Sequence, residues 1–354
     1  MTLALREATT ADRADWTAFV ASQPEADILQ SWAWGEAGAG EPGEHWTRLI
    51  VVDANGHTRG AAQVLDRATS FGRTVLYVPH GPLWDRGAPD AAEVLARLLT
   101  GIKAEAKARR GIVLKLDPRA SGNAAADAAI RRVLLSSGQP ADHELQAPST
   151  RVIDLEAGDD PVAGWSKDAR AEARRAEREG TIVTVDRDGD PALLDTFHAL
   201  LSETSDRGGF RIRSRAFLGH LAEPLVASGD WFMAIAEHGG TPLAGAIAPR
   251  TGDRAYYLYA ASVRDPELSK KRGPYAAMAG LQRNLRQAGT ATLDLWGVRE
   301  ANDDSVDESW EGFSVFKRRF NGVPLRHPGT FDIVIDPTWN RIRDLRERLR
   351  GAIR

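Results

Sequence analysis

A faint internal repeat, at a spacing of 185 positions, constrains the fold of this chain more than any short motif does. Trp46-Thr-Arg-Leu-Ile-Val-Val-Asp-Ala-Asn-Gly-His-Thr-Arg-Gly-Ala-Ala reads as a strand, a tight Asn-Gly turn and a second strand. Trp231-Phe-Met-Ala-Ile-Ala-Glu-His-Gly-Gly-Thr-Pro-Leu-Ala-Gly-Ala-Ile reads the same way, with Gly239-Gly240 at its turn. Trp46 to Trp231 is 185 positions and Gly60-Ala61 to Gly245-Ala246 is also 185, so the two hairpins are in register. Farther on, Thr74-Val-Leu-Tyr77-Val is matched by Ala255-Tyr-Tyr-Leu-Tyr259, and Ile112-Val-Leu-Lys-Leu-Asp117 by Ala291-Thr-Leu-Asp-Leu-Trp296. A helix-like stretch precedes each of these last strands, Ala91 to Arg110 in one half and Tyr275 to Gln287 in the other. Four matches in one order predict an α/β (α+β) fold of two lobes built to the same design, related by duplication.

Composition removes several kinds of function. With 46 Lys+Arg against 49 Asp+Glu the net charge is -3, so no basic field covers the whole molecule and bulk binding of duplex DNA is not expected. A local basic lip can still hold a short piece of nucleic acid. The lack of cysteine excludes thiolate nucleophiles, Cys-ligated zinc, iron-sulfur centres and disulfides. Arg6 and Asp12 come too early for the apolar core of a signal peptide, and no run approaches the roughly 20 apolar residues of a membrane helix. A cytoplasmic location is expected.

Two segments are rich in arginine. Val162 to Glu179 carries four arginines and a lysine among acids and ends at Gly180, a good helix cap. The spacing fits a solvated helix, and the charges suit either salt bridges along a surface or a face turned to an anion. Trp339 to Arg354 is expected to pack back on the body through Ile342, Leu345, Leu349 and Ile353, which recur at helical spacing.

Nucleotide-binding GxGxxG and GxxxxGK[ST] patterns, HExxH and the GxSxG elbow are missing, and His198, His220 and His238 stand singly, so a metal site is not expected. Three other segments stand out. Leu29-Gln30-Ser31-Trp32-Ala33-Trp34-Gly35-Glu36 holds two tryptophans and a glycine, more aromatic than an ordinary turn. Tyr77-Val-Pro79-His80-Gly81-Pro82-Leu83-Trp84-Asp85 ends a strand with two prolines around a glycine, a rigid bend that presents backbone groups. Gly312-Phe-Ser-Val-Phe316-Lys317-Arg318-Arg319-Phe320-Asn321-Gly322 sets three consecutive cations between aromatics.

Together with LKLDP, Arg207-Gly-Gly-Phe-Arg-Ile-Arg213 and LAGAIAPRTGDRAYYLYAAS, these segments resemble the Fem family of aminoacyltransferases over nearly the whole chain. The resemblance implies two lobes, each like an N-acetyltransferase of the GNAT type, with a cleft between them. Lobe one is expected over 1–145, joined by the C-terminal 325–354, and lobe two over 146–324. Larger members insert a long coiled-coil arm in the second lobe, and Val162 to Glu179 is far too short to be one. The implied reaction moves an amino acid from aminoacyl-tRNA to a free amine of a peptidoglycan precursor stem peptide, forming an interpeptide bridge. An aminoacyl ester is already activated, so no covalent nucleophile, metal or cofactor is required. Orientation, a neutral amine and a cation at the developing oxyanion are.

By the same resemblance Lys317 is the cation and Asp117 is a carboxylate that orients or deprotonates the acceptor amine. Arg213 contacts phosphate or carboxylate of the acceptor, as suits a planar guanidinium. Tyr259 lines the same channel, and Phe217 lies where relatives have a hydrogen-bonding tyrosine. Trp34 and Glu36 fall beside the acceptor, where relatives usually carry a lysine that grips the diphosphate. A carboxylate there is expected to repel phosphate. Only the 3′ acceptor end of the tRNA need enter, with Arg318, Arg319 and Arg326 as its contacts. A lipid-linked acceptor would bring peripheral membrane contact.

Other readings remain at this point. Lys317 also fits a surface lysine in a basic strand, and Asp117 a turn starter before Pro118. The acceptor also fits a small natural-product amine, and the fold fits an acyl-CoA-dependent N-acyltransferase or a catalytically silent binding module. For the CoA reading the nearest pyrophosphate loop is Lys270-Lys-Arg-Gly273-Pro274-Tyr275-Ala276, in which Pro274 has no N–H to offer and Tyr275 fills the space a small residue should leave.

Overall fold

A computed structural model describes the backbone of residues 2–300 and 310–351, and side chains as far as Arg346. Met1–Gln146 with His327–Arg354 form one compact unit, and Ala147–Arg326 form a second.

In the first unit the strands are β1 (Ala4–Glu7), β2 (Glu44–Val52), β3 (Thr58–Ala68), β4 (Thr74–Val78), β5 (Leu83–Trp84), β6 (Gly111–Leu116), β7 (Gln139–Pro140) and the returning β17 (Phe331–Val334). They lie in the order β1-β2-β3-β4-β6-β17-β7, with β5 on β3. Helices α1 (Arg13–Ser22), α2 (Trp32–Ala39), α3 (Ala91–Ala108) and α4 (Ala124–Ser137) precede β7, and α11 (Pro337–Gly351) closes the unit. Helix α3 crosses from β4 to its parallel neighbour β6 and buries Val94, Leu95, Leu98, Leu99 and Ile102 against the sheet. Gly60 has to be glycine, because a Cβ there would stand 2.7 Å from Val94 Cγ1 and 2.8 Å from Leu98 Cδ1.

The second unit contains β8 (Ser149–Asp154), β9 (Thr181–Asp186), β10 (Met233–His238), β11 (Thr241–Ile247), β12 (Arg250–Thr251), β13 (Arg254–Tyr256), β14 (Tyr259–Ser262), β15 (Thr292–Asp294) and β16 (Val323–Arg326). They make two sheets, β14-β11-β10-β9 and β12-β13-β15-β8-β16. The helices are α5 (Lys167–Arg178), α6 (Pro191–Gly208), α7 (Arg215–Ser228), α8 (Pro266–Ser269), α9 (Gly273–Gln287) and α10 (Glu311–Arg318). The echo read from sequence is structural: hairpin β2/β3 answers to β10/β11, and the parallel pair β4/β6 answers to β13/β15, with α3 or α9 making the crossover. Ala255 to Tyr259 is nevertheless not one strand. Tyr257 N donates to Asp294 O at 2.8 Å on one side, and Leu258 N to Ile247 O at 3.0 Å on the other, so the ladder passes from β15 to β11 and the strand splits.

Two expectations need correction. The segment around Lys317 lies on a helix and not on the basic strand of the alternative reading, and Phe316 packs edge to face at 4.7 Å on Phe320, just past the helix end. In the C-terminal helix Ile342 and Leu345 are exposed, so the described half of the expected apolar stripe does not hold it. Trp339 against Phe71 and Arg73, with Arg343 on Asp332, holds it instead. The side chain of Leu349 and all of Ile353 lie outside the described residues.

Phe320 is fully buried beside Trp165 at 4.5 Å, in a core shared with Val162, Met278 and Leu281. Phe320→Ala is expected to cost about 3–5 kcal/mol in urea unfolding, by loss of transfer energy and creation of a cavity.

Candidate active site

Lys317 sits in the last turn of α10 with its ammonium desolvated but not neutralised. Its Nζ donates to Gly297 O at 2.9 Å and lies 5.2 Å from the ring centre of Phe313 and 5.7 Å from that of Tyr257. Burial pulls its pKa down to about 8, and the nearby Asp294 only partly opposes this. No carboxylate makes an ion pair with it among the described residues. Asp294 is occupied elsewhere, accepting from Thr150 Oγ1 and from Trp296 N, both at 2.6 Å. Tyr257 is buried, and burial raises its pKa. Its hydroxyl has no hydrogen-bond partner among the described residues. A fixed cation beside an unused phenol, lined by rings, can meet negative charge that develops on a bound carbonyl.

The other residues expected in this unit divide. Arg213 is half-buried, its guanidinium 4.5 Å above the ring of Phe217, and Tyr259 is half-buried opposite Ile247 at the start of β14. Phe217 itself has 0 % exposure, so it meets no substrate and serves as the platform under Arg213. Arg318 is likewise withdrawn from nucleic-acid contact: it pairs with Glu311 at 2.5 Å and caps the Arg299 carbonyl. Arg319 and Arg326 are exposed, the first also donating to Tyr275 Oη at 2.7 Å.

At the start of α9, Gly273 is pressed on β11, where a Cβ would stand 2.5 Å from Leu243 Cβ. Pro274 occupies the first turn, the amides of Tyr275 and Ala276 both turn back to Arg272 O, and the Tyr275 ring fills the space beside Phe316 at 5.3 Å. The backbone donors that would cradle a CoA pyrophosphate are thus spent or missing.

In the first unit Asp117 follows β6 and is buried. Tyr77 Oη donates to its Oδ2 at 2.5 Å and His80 N to its Oδ1 at 2.6 Å. Burial pushes its pKa up to about 6, although His80 and Tyr77 favour the charged form. His80 aims its amide through a left-handed backbone, φ 50°, rare for a residue with a side chain. Below it lies a cluster that the sequence reading missed. Asp27, with no exposure, contacts His80 Nδ1 and accepts from Arg119 at 2.9 Å and from Leu29 N at 2.8 Å. Burial alone would raise the Asp27 carboxyl, but His80 and Arg119 outweigh it and hold it below the usual range. The signal present in sequence was His80 inside its rigid Pro-flanked bend; Asp27 and Arg119 carried none.

Trp34 is buried in α2, whose N-cap Ser31 accepts from its amide at 3.1 Å. Glu36 differs from expectation. It accepts from Trp32 Nε1 at 2.9 Å and pairs with Arg13 at 3.2 Å, while Arg48 stacks 4.0 Å over the Trp32 ring. Glu36 is therefore paired with Arg13 and has the Arg48 guanidinium nearby, so its carboxylate is not an isolated negative charge.

No group of three or more His, Asp or Glu side chains able to hold a metal occurs among the described residues, and no described helix is long and apolar enough to cross a membrane.

Comparison with known proteins agrees with this geometry. The acetyltransferase (GNAT) domain profile matches residues 163–305. The lipid II:glycine glycyltransferase of Staphylococcus aureus (strain USA300) is 24% identical, covering 95% of this chain and 94% of that protein. The alignment spans 415 positions, more than the chain itself, so the relative carries segments that are missing here. The crystal structure of FemX superposes with a TM-score of 0.80 at 20% identity, over 96% of this chain and 99% of that one. A tandem GNAT protein from the clavulanic acid biosynthesis pathway superposes less closely, with a TM-score of 0.51 at 12% identity over 95% of this chain and 99% of that one. Fold and profile define a transferase built from paired GNAT-like domains. With the segments quoted above and a relative matched along almost its full length, the chain is similar to the Fem family over nearly all of its residues.

The raised pKa of Asp117 has a testable sign. Between about pH 4 and pH 6 the folded protein binds more protons at this site than the unfolded chain, so this group's contribution falls as pH rises. Asp117→Asn, which is never charged, should gain stability relative to the parent chain from pH 4 to pH 7, by up to about 3 kcal/mol in paired denaturant titrations. Equal offsets at the two pH values would show that the carboxylate is not held neutral.

Proposed function

We propose that this protein is an aminoacyltransferase that takes an amino acid from aminoacyl-tRNA and joins it to a free amine on the stem peptide of a muropeptide precursor in the cytoplasm. The relative named for lipid II and glycine supports the acceptor class, and the Lys317 site supports the chemistry. In this reading a neutral amine attacks the ester carbonyl, the C–N bond forms and the carbonyl electron pair moves to oxygen. The Lys317 ammonium, fixed by Gly297 O, stabilises that oxyanion. Collapse breaks the ester C–O bond, and the ribose oxygen leaves as a hydroxyl with the proton that the amine gives up. The enzyme contributes placement and charge and forms no bond of its own to the amino acid. Arg213 and Tyr259 are assigned to the acceptor, Asp117 to orienting its amine, and Arg319 and Arg326 to the tRNA end.

The observation that carries this reading is the cation left unneutralised in a ring-lined site. The test is incubation with a pool of labelled aminoacyl-tRNAs and a panel of muropeptide precursors, followed by detection of the label that moves. Lys317→Ala should lower kcat by about 10²–10³. Its unfolding free energy should change little, because the substitution also removes a charge that burial disfavours. The ammonium is needed protonated, so kcat should decline as pH rises through about 8. Activity retained in the alanine variant would end the assignment.

A further inference from the structure

Helix α5 carries two sets of charges, and only one is compensated. Its inner side is Ala169, Ala173 and Ala176, all buried. On one flank Glu172 pairs with Arg272 at 2.7 Å, and Glu179 pairs with Arg175 at 2.7 Å and Lys271 at 3.9 Å. On the outer side Lys167, Arg170, Arg174 and Arg178 follow one another at intervals of three, four and four. At 3.6 residues per turn these four lie within about 80° of one another and make a stripe roughly 16 Å long. Lys167, Arg174 and Arg178 have no side-chain partner among the described residues. Arg170 donates to the carbonyls of Ala163 and Trp165, both at 2.8 Å, which orders it without cancelling its charge.

A cavity of about 740 Å³ opens beside the stripe, between α5, β9 and α9. Ala173, Val183 and Ala279 form part of its wall, and Arg170, Arg174 and Arg283 stand at its edge with Glu177. Arg283 is held by Asp160 at 2.9 Å. The stripe also begins beside the catalytic helix. Ser166, the N-cap of α5, donates to Arg319 O at 2.9 Å, two residues beyond Lys317, and Asn321 donates to Gly164 O.

We infer that this face of α5 docks the body of an RNA whose acceptor end lies at Lys317. The cationic stripe follows the phosphates of one strand, and the cavity gives room for a base turned out of its stack. Guanidinium forks suit phosphate oxygens, and the stripe extends along a line, as a polyanion does. An anionic membrane fits less well, since the apolar side of α5 is consumed by the core and its outer face offers no aromatic or aliphatic anchor beyond Ala171. The choice of tRNA as that RNA rests on the function proposed above.

The test compares the parent chain with an Arg174→Glu, Arg178→Glu double variant, both sites being exposed. Transfer is measured from intact aminoacyl-tRNA and from an aminoacylated trinucleotide that ends in the same residues. The ratio of KM for the intact donor to KM for the trinucleotide should rise at least about tenfold in the variant. Binding of uncharged tRNA to the parent chain should weaken steeply with salt, and the slope of log affinity against log salt should fall by about two in the variant. An unchanged ratio with an unchanged slope overturns the inference, as does a variant that loses binding to phosphatidylglycerol vesicles while holding tRNA as before. Should the parent chain bind tRNA through the stripe yet transfer from no aminoacyl-tRNA, the docking face stands and the proposed reaction falls.

Discussion

Two neighbouring amides part company between β13 and β14, and the site of the second unit is arranged around that parting. Tyr257 gives its N–H to Asp294 and Leu258 gives its own to Ile247, so the strand belongs first to one sheet and then to the other. Backbone donors rarely go unpaired inside a protein, and here both are satisfied although the strand is split. Beside the split the Tyr257 ring stands near the Lys317 ammonium, and the segment that follows β15 supplies the Gly297 carbonyl that holds it. In the first unit β4 and β5 both stay on β3, and the bend between them holds His80 and directs its amide to Asp117. Each unit thus carries a polar cluster next to an interruption between two strands, with different chemistry in each.

Charge in the two clusters is handled in opposite ways. In the first unit, Asp27 is surrounded by donors until its carboxylate is the favoured form. In the second, Lys317 keeps one carbonyl and two rings, enough to fix it and too little to neutralise it. Saturation gives rigidity, whereas under-compensation leaves an attraction to spend on something that binds. That contrast separates the structural part of the molecule from its chemistry better than burial does, since both groups are desolvated.

Much of this was legible before any coordinates. The hairpin pair, the crossover helices and the lysine between Phe316 and Phe320 all follow from patterns that local physics writes into sequence: turn residues, period, and aromatic spacing. The failures are equally physical. The split at Tyr257 depends on which neighbour an amide meets, and nothing in a run of tyrosines records that. Phe217 and Arg318 resembled site residues by position, but one is a buried platform and the other is consumed by Glu311. Glu36 looked repulsive because its partners Arg13 and Arg48 are far from it along the chain. Ile342 and Leu345 had the right spacing for a buried face, yet the helix is gripped through Trp339.

The knot of Asp27, His80 and Arg119 bears on how such a chain can change over generations. Its members come from three distant places, up to 92 positions apart, and each leans on charges supplied by the others. Losing Asp27 strands the desolvated Arg119, and losing either partner leaves Asp27 less fully compensated, while exchanging all three for oily side chains would be tolerable. Single steps away from the arrangement are therefore barred although the destination is not. Descendants should keep the trio as a heritable unit even where the substrate they serve has been replaced.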